Sequence, residues 1–366
     1  MNIKKREKNK ADKKQISCRI KHLIIYHGMF NNFYISKSNL ANNIKQIRQK
    51  KPNAKVCAMV KANAYGVGVS AVVKILNKYV DFFGVSNFDE AKNIKDIAKH
   101  KILITGAFDS KHFEPSFSYT CNSLEDIKTF KKLNTTVFVH IKINTGMNRY
   151  GISNMAEFEK CLKIIKQSKI VLEGVYTHFA TTDQNVETQT KKFNQFVEVL
   201  KKYDLHPIIH ADNSHVLDKF AHNFDMIRIG FDLYNNSNPP YKPVVLIQSQ
   251  ITQVNKIKAN EMVGYDKRFI SKKPMTVAIV PVGYADGFDM KYLGLNLNIG
   301  GAKCQVLNIC MDCFMLDISK TKLKKGDKVN ILDYANPLSL YANYSGTSEY
   351  EVMCKFGNVR ANKFVK

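Results

Sequence analysis

The sequence predicts an α/β protein: a parallel (β/α)8 TIM-type barrel followed by a C-terminal antiparallel β domain. Three observations predict it. From Val56 onward, short apolar runs alternate with stretches whose apolar residues recur at spacings of three and four, the helical period. The alternation repeats through eight units over roughly 200 residues, the length of such a barrel. After residue 240 the helical period nearly disappears, and Gly- and Asn-punctuated β runs replace it.

Taken in order, the strand candidates are VCAMVKA, DFFGVSN, KILITGA, SYTCNS, TVFVHIKINTG, VLEGVYTHF, PIIHADNS and DMIRIG. Between them lie helical stretches such as SAVVKILNKYV, MAEFEKCLKIIKQ and ETQTKKFNQFVEVLKKY. A doubly wound open sheet is the alternative, but no GxGxxG turn follows the first strand. Asn238, Pro239 and Pro240 read as a linker. Beyond it, VVLIQSQITQVNKI, MTVAIVPVGYADG, LNLNIGGAKCQVLNICMD and KVNILDYA read as strands. The expected division is a basic, disordered tail at 1–30, a barrel at 31–240 and a β domain at 241–366.

Composition narrows the function classes. Hydrophobic residues make up 45% of 366, enough for a globular core. Eight scattered cysteines fit free thiols in a reducing cytoplasm. No apolar run reaches the roughly 20 residues that span a bilayer. The net charge of +25 invites a nucleic-acid reading. Much of it, however, is lysine dispersed along helical stretches or gathered in the first 22 residues, and no zinc-finger or RNA-recognition signature accompanies it. The apolar LIIYHGMF after the basic start is interrupted by His27 and lacks a small-residue cleavage site, so it is not read as a signal peptide. Cys310 and Cys313, with Cys304 nearby, have metal-like spacing, but no second pair completes a ligand set. His206 and His210 flank a strand and read as surface or packing residues.

Chemistry on a (β/α)8 barrel sits at the C-terminal strand ends. There the sequence places Lys61, Arg149, His178, Asn213, Ser214 and Arg228, followed by Gly230. A lysine closing a buried strand is partly desolvated, which lowers its pKa and makes it a nucleophile and base. Such a lysine condenses with an aldehyde cofactor. Pyridoxal 5′-phosphate (PLP) needs that lysine, an anion site and a partner for its ring nitrogen. Ser214 with the backbone near Gly230 suits the anion, and Arg228 the ring nitrogen.

At these residues the chain resembles the alanine racemases, PLP-dependent amino-acid racemases of fold type III. MVKANAYG resembles the family's PLP-attachment segment, and INTGMNRYGI its DTGMGRLG. LEGVYTHFATTD, IHADNS and MIRIGFDLY are similar to LEGLYTHFATAD, HxANS and MVRxGIxLYG. MVGYDKR, IVPVGYADGF, ICMD and SEYEVMC follow in the family's order, so the likeness runs over residues 33–360. It implies a cytoplasmic homodimer that interconverts L- and D-alanine and supplies D-alanine for peptidoglycan, with neither nucleic acid nor membrane as partner. It implies that Lys61 carries PLP and moves the α-proton on the D-alanine face. Tyr265 would be the opposite base, with His178 and Arg228 as its relay and Arg228 on the ring nitrogen. Tyr65, Ser214, Gly230 and Tyr350 would hold the phosphate. Arg149 and the backbone of Met311 would hold the substrate carboxylate, and Lys142 would prop Arg149, carbamylated in some members. Tyr265 and Met311 would come from the partner subunit.

The chain departs from the family at Val67, Asn144, Asp266, Phe269, Cys313 and Glu349. None of these is a residue of the implied machinery, so substrate preference is more exposed to them than reaction type. A racemase of serine or another amino acid on the same fold is the alternative. A related decarboxylase and a non-catalytic PLP-binding protein are more distant ones.

Overall fold

A computed structural model describes residues 30–180, 185–214, 216–217, 223–234 and 240–366. The tail before Phe30 and two of the three linker residues, Asn238 and Pro239, lie outside them. The chain divides into two compact units. One holds Ser36–Val245, Ser348–Gly357 and the last two residues; the other holds the described residues up to Ile35, Leu246–Thr347 and Asn358–Phe364.

The first strand, β1 (Asn32–Ile35), belongs to the second unit. The first unit is the barrel. Its strands are β2 (Lys55–Met59), β3 (Phe82–Val85), β4 (Lys101–Ile104), β5 (Phe117–Cys121), β6 (Val137–Lys142), β7 (Ile170–Tyr176), β8 (Ile208–Asn213) and β9 (Met226–Ile229). They close in sequence order, with β9 pairing parallel to β2. Five of them fall inside one of the apolar runs read above, and β2, β5 and β7 each begin one residue before theirs. Most of their residues are buried, as expected when a parallel sheet is covered on both faces.

The crossing helices start where the sequence supplies caps. Ser36, Asn87, Ser123 and Asn154 each accept a hydrogen bond from a backbone N–H three residues on, satisfying a donor the helix leaves free. Inside the barrel, Cys57, Met59, Phe82, Leu103 and Met226 form an apolar cluster. Polar residues share that interior: His140, His210 and Arg228 are all buried. Two irregularities in register, between Val139 and His140 on β6 and between His210 and Asn213 on β8, lie beside them.

The second unit contains two sheets. One has the order β16–β10–β1–β17, from Lys328–Leu332, Val245–Gln250, β1 and Asn362–Val365. The other runs β11–β12–β15–β14–β13, from Gln253–Ile257, Met275–Val280, Phe314–Asp317, Ala302–Ile309 and Asn296–Ile299. Strands β11 to β15 pair antiparallel. Two helices beyond residue 241, Leu338–Ser345 and Glu349–Phe356, depart from the all-β texture expected there. Each spans only about two turns, too short for the apolar period to register. The second belongs to the barrel unit.

Candidate active site

The residues of β2 run straight into an unusual turn. Ala62, Asn63, Ala64 and Tyr65 all have φ between 51° and 56°, the left-handed region that costs an ordinary residue roughly 1–2 kcal/mol. Four in a row persist because surrounding bonds fix them. Glu90 accepts from the Ala62 N–H at 2.7 Å with one carboxylate oxygen, and from the N–H and Oγ of Ser86 at 2.8 and 2.7 Å with the other. Asn63 Oδ1 accepts from the Val69 N–H at 2.8 Å. The turn brings Lys61 and Tyr65 to the same cavity.

That cavity measures about 530 Å³. Lys61, Tyr65, Lys142, Arg149, His178, Ser214, Arg228, Gly230 and Tyr350 all line it, although they come from five strand ends, a loop and a distant helix. Arg149 is set back from its strand: β6 closes at Lys142, and Arg149 follows on the loop. Asn144 shapes that loop by accepting the N–H groups of Gly146 and Asn148 at 3.1 and 3.0 Å. This is a side-chain turn that aspartate and asparagine both make. The departure at Asn144 therefore keeps the local geometry.

Arg228 is held from several sides. Its NH1 donates to His210 Nδ1 at 2.8 Å, and its NH2 donates to the carbonyls of Thr177 and Ala211 at 2.7 and 3.1 Å. His178 Nδ1 lies 3.4 Å from the same NH2. The Tyr176 ring lies 4.9 Å from the guanidinium carbon. The Nε–H has no partner among the described residues. His210 is thus a wholly buried partner of Arg228, not a surface residue, and its position beneath a site arginine is invisible in IHADNS.

Near Gly230, Ser214 Oγ accepts the glycine N–H at 3.2 Å. A Cβ on Gly230 would lie 2.3 Å from Tyr65 Oη, so only glycine admits that hydroxyl. The Tyr65 ring packs at a tilt against those of Tyr234 and Tyr350, with centroids 5.3 and 6.0 Å away. The Tyr234 hydroxyl donates to the Met59 carbonyl at 2.6 Å. A backbone N–H and several hydroxyls around a cup without a side chain suit a phosphate.

The electrostatics favour uncharged amines. Burial lowers the Lys61 pKa, with the Arg149 charge adding to it and Glu90 opposing. Lys142, last residue of β6 and only 5% exposed, is brought down to about 8 by burial, then by Arg149 and Arg228. His178 falls well below the usual imidazole value through burial and the charge of Arg228. It is neutral at physiological pH and available as a hydrogen-bond acceptor.

Tyr265 and Met311 belong to the other unit and are 67% and 59% exposed. Their backbones are pinned all the same. Asn308 Nδ2 donates to the carbonyls of Val263 and Tyr265 at 2.8 and 3.1 Å. The GYADG segment carries the Met311 turn: the N–H groups of Tyr284 and Ala285 donate to the carbonyls of Cys310 and Met311. Asp286 is clamped by Arg360 at 2.7 and 2.9 Å. Two exposed side chains on fixed backbone suit a surface built to present them.

The chain is similar to known proteins over most of its length. The family model described as alanine racemase, N-terminal domain, matches residues 35–238, and the C-terminal domain model matches residues 244–364. The alanine racemase of Streptococcus equi subsp. zooepidemicus is 31% identical over 85% of this chain and 92% of its own. That of Borreliella burgdorferi is 29% identical over 90% and 96%. Among solved structures, alanine racemase from Clostridium difficile 630 superposes with a TM-score of 0.84 at 28% identity, covering 89% of this chain and 93% of that one.

Proposed function

Because the chain belongs to the alanine racemase family, a family of isomerases, we propose that it interconverts L- and D-alanine with PLP held in the barrel cavity. The observation that carries this reading is one amine, Lys61, facing a glycine-floored hydroxyl cup and a bonded arginine within a single cavity. The residues fit the cofactor. Lys61 is the attachment amine, and Tyr65, Ser214, the Gly230 N–H and Tyr350 form the phosphate site. The Nε–H of Arg228, without a partner among the described residues, would be the donor to the ring nitrogen. PLP, when bound, lends its ring as the sink that makes the α-proton of alanine removable.

The chain's own residues do the rest. Arg149 and the Met311 backbone orient the substrate carboxylate. Lys61, its charge disfavoured by burial, takes or returns the α-proton on one face. Tyr265 does so on the other, as a two-base racemisation requires. Arg228 does not release its proton, so it would donate a hydrogen bond to the ring nitrogen of bound PLP without protonating it. Lys142 sits with its Nζ 5.4 Å from the Tyr150 ring centroid. With a pKa near 8 it is neutral often enough to take up carbon dioxide and brace Arg149 as a carbamate. Tyr265 and Met311 reach the site from a second copy of the chain in a homodimer, which explains why they stand exposed on rigid backbone. D-alanine for peptidoglycan is the product's expected use.

The purified chain with PLP is expected to show a visible band that borohydride removes, with the label retained on Lys61, and to turn over alanine in both directions. A band without alanine turnover moves the assignment to another amino acid. No band overturns the cofactor reading.

A further inference from the structure

A line of hydrogen bonds leaves the floor of the cavity through the middle of the barrel. Arg228 NH1 lies 2.8 Å from His210 Nδ1, and His210 Nε2 lies 2.8 Å from His140 Nδ1. His140 Nε2 lies 3.1 Å from Glu173 Oε2. Glu173 also accepts from Ser118 Oγ and Lys101 Nζ. Both imidazoles are wholly buried, and the Glu173 side chain is 10% exposed. Lys101, the first residue of β4, is 41% exposed. The line therefore ends at the N-terminal mouth of the barrel, opposite Lys61.

Chemistry forces its direction. A guanidinium only donates, so His210 Nδ1 accepts and the His210 proton sits on Nε2. That proton points at His140 Nδ1, which must accept. The His140 proton then sits on its own Nε2 and goes to the carboxylate. A second proton on either ring would set N–H against N–H or against Arg228. Burial holds both rings below the usual imidazole pKa; at His140 the bond and charge of Glu173 oppose it without reversing it, and the charge of Arg228 adds to it at both. Burial pulls Glu173 the other way, but its bonds from His140, Lys101 and Ser118 bring it down to about 2. The anionic end of the line is secure at any physiological pH.

We propose that Glu173 is a positioning residue for Arg228: through His140 and His210 its carboxylate sets a one-way line of hydrogen bonds that keeps the guanidinium aimed at the cavity. This rests on the reading of Arg228 as the partner of the cofactor ring. The backbone is arranged for it. Val139 pairs with Leu172 and His140 with Gly174, so Glu173 is the extra residue of a bulge. A Cβ on Gly174 would lie 2.1 Å from His140 Nδ1, so glycine makes room for the imidazole. Asp212, the other buried carboxylate near Arg228, acts on it through space and faces Lys51 at 3.8 Å; the bonded route goes to Glu173. A neutral amide at 173 can turn its NH2 toward His140. That reverses both imidazoles and leaves Arg228 NH1 facing an N–H.

The test is 15N NMR of histidine side chains in the full chain, wild type and Glu173→Gln, with and without PLP, alongside steady-state turnover. The wild type is expected to carry one proton on Nε2 of both His140 and His210 between about pH 6 and 8, cofactor or not. Glu173→Gln is expected to change the tautomer of at least one ring and to move the visible band of bound PLP. It should lower kcat about ten- to a hundredfold, as small misplacements near a site do, with KM for alanine little changed. A wild-type ring protonated on Nδ1 or on both nitrogens overturns the proposal. So does a folded Glu173→Gln chain with wild-type tautomers and turnover. If Glu173→Gln does not fold, His140→Phe cuts the same line, and the His210 tautomer and the PLP band decide by the same criteria. Tautomers read without PLP judge the line itself, whereas a missing PLP band in the wild type sinks the functional reading instead.

Discussion

Replacing Gly230 by alanine strikes the phosphate cup at one calculable point. The new Cβ would lie 2.3 Å from Tyr65 Oη and 2.8 Å from its Cζ, where ordinary contact begins at 3.4 Å. The hydroxyl must retreat by 3.4 − 2.3 = 1.1 Å. Tyr65 has little room, being wedged between Tyr234 and Tyr350. The Gly230 φ lies outside the left-handed region, so backbone strain adds nothing. The expected loss is one hydrogen bond to an ionised phosphate, about 1.5–3 kcal/mol, or roughly a 10- to 150-fold weaker Kd for PLP. Titration of the PLP visible band measures Kd, and thermal unfolding by circular dichroism checks the fold. Placing alanine in a Tyr65→Phe chain should cost less than in wild type, because the displaced hydroxyl is already gone; the difference is a coupling energy between neighbours. A Kd within about threefold of wild type, on a chain with unchanged Tm, would refute the reasoning that Gly230 exists to admit Tyr65.

Tyr265→Phe removes the proposed second base. Racemisation should fall by about 10²–10⁴, while Lys61 still exchanges the α-proton of D-alanine with deuterated solvent; loss of both would place Tyr265 in binding instead. Mixing inactive Lys61→Ala and Tyr265→Phe chains should restore about a quarter of wild-type turnover if Tyr265 acts across the dimer, since half the dimers would carry one complete site of two; no recovery would put both groups in one chain. As the free amine, in carbon-dioxide-free buffer, Lys142 has a folded pKa near 8 against 10.5, so above pH 8 the unfolded chain binds more protons than the folded one. Stability should rise from pH 8 towards 10.5 by up to about 3 kcal/mol, and Lys142→Met should flatten that rise in urea titrations. Glu173 works in the acid range, its pKa being lowered to about 2 from 4.5. Its contribution is present above the unfolded value, is lost as pH falls from 4.5 through 2, and amounts to about 3 kcal/mol; a Glu173→Gln chain with an unchanged acid transition would contradict it.

Much of the barrel was legible because its signals are local. An apolar run such as VCAMV or KILIT is a buried parallel strand whatever surrounds it, and a strand end is where barrel chemistry sits. Lys61, His178, Ser214 and Arg228 followed from that, and the likeness to the alanine racemases added Tyr65 and Tyr350. Other features left no local trace. Nothing in ANAY marks a left-handed turn, because alanine and tyrosine adopt it only under external bonds such as those of Glu90. Glu90 itself reads as an ordinary acidic residue in the first turn of a capped helix. The helices at 338–345 and 349–356 were too short to show a period.

The amino-acid sequence by itself determined the strand and helix rhythm, the change of texture near residue 240 and the residue types at the strand ends. All of these depend on neighbours within a few positions. Only the tertiary structure decided what lies beneath the site. Arg228, His210, His140 and Glu173 meet across steps of 18, 70 and 33 residues in the chain. They touch because eight strands close into a ring and two register irregularities turn particular side chains inward. Closure and register come from the packing of the whole barrel, so no single segment records which buried histidine will accept a hydrogen bond from which arginine.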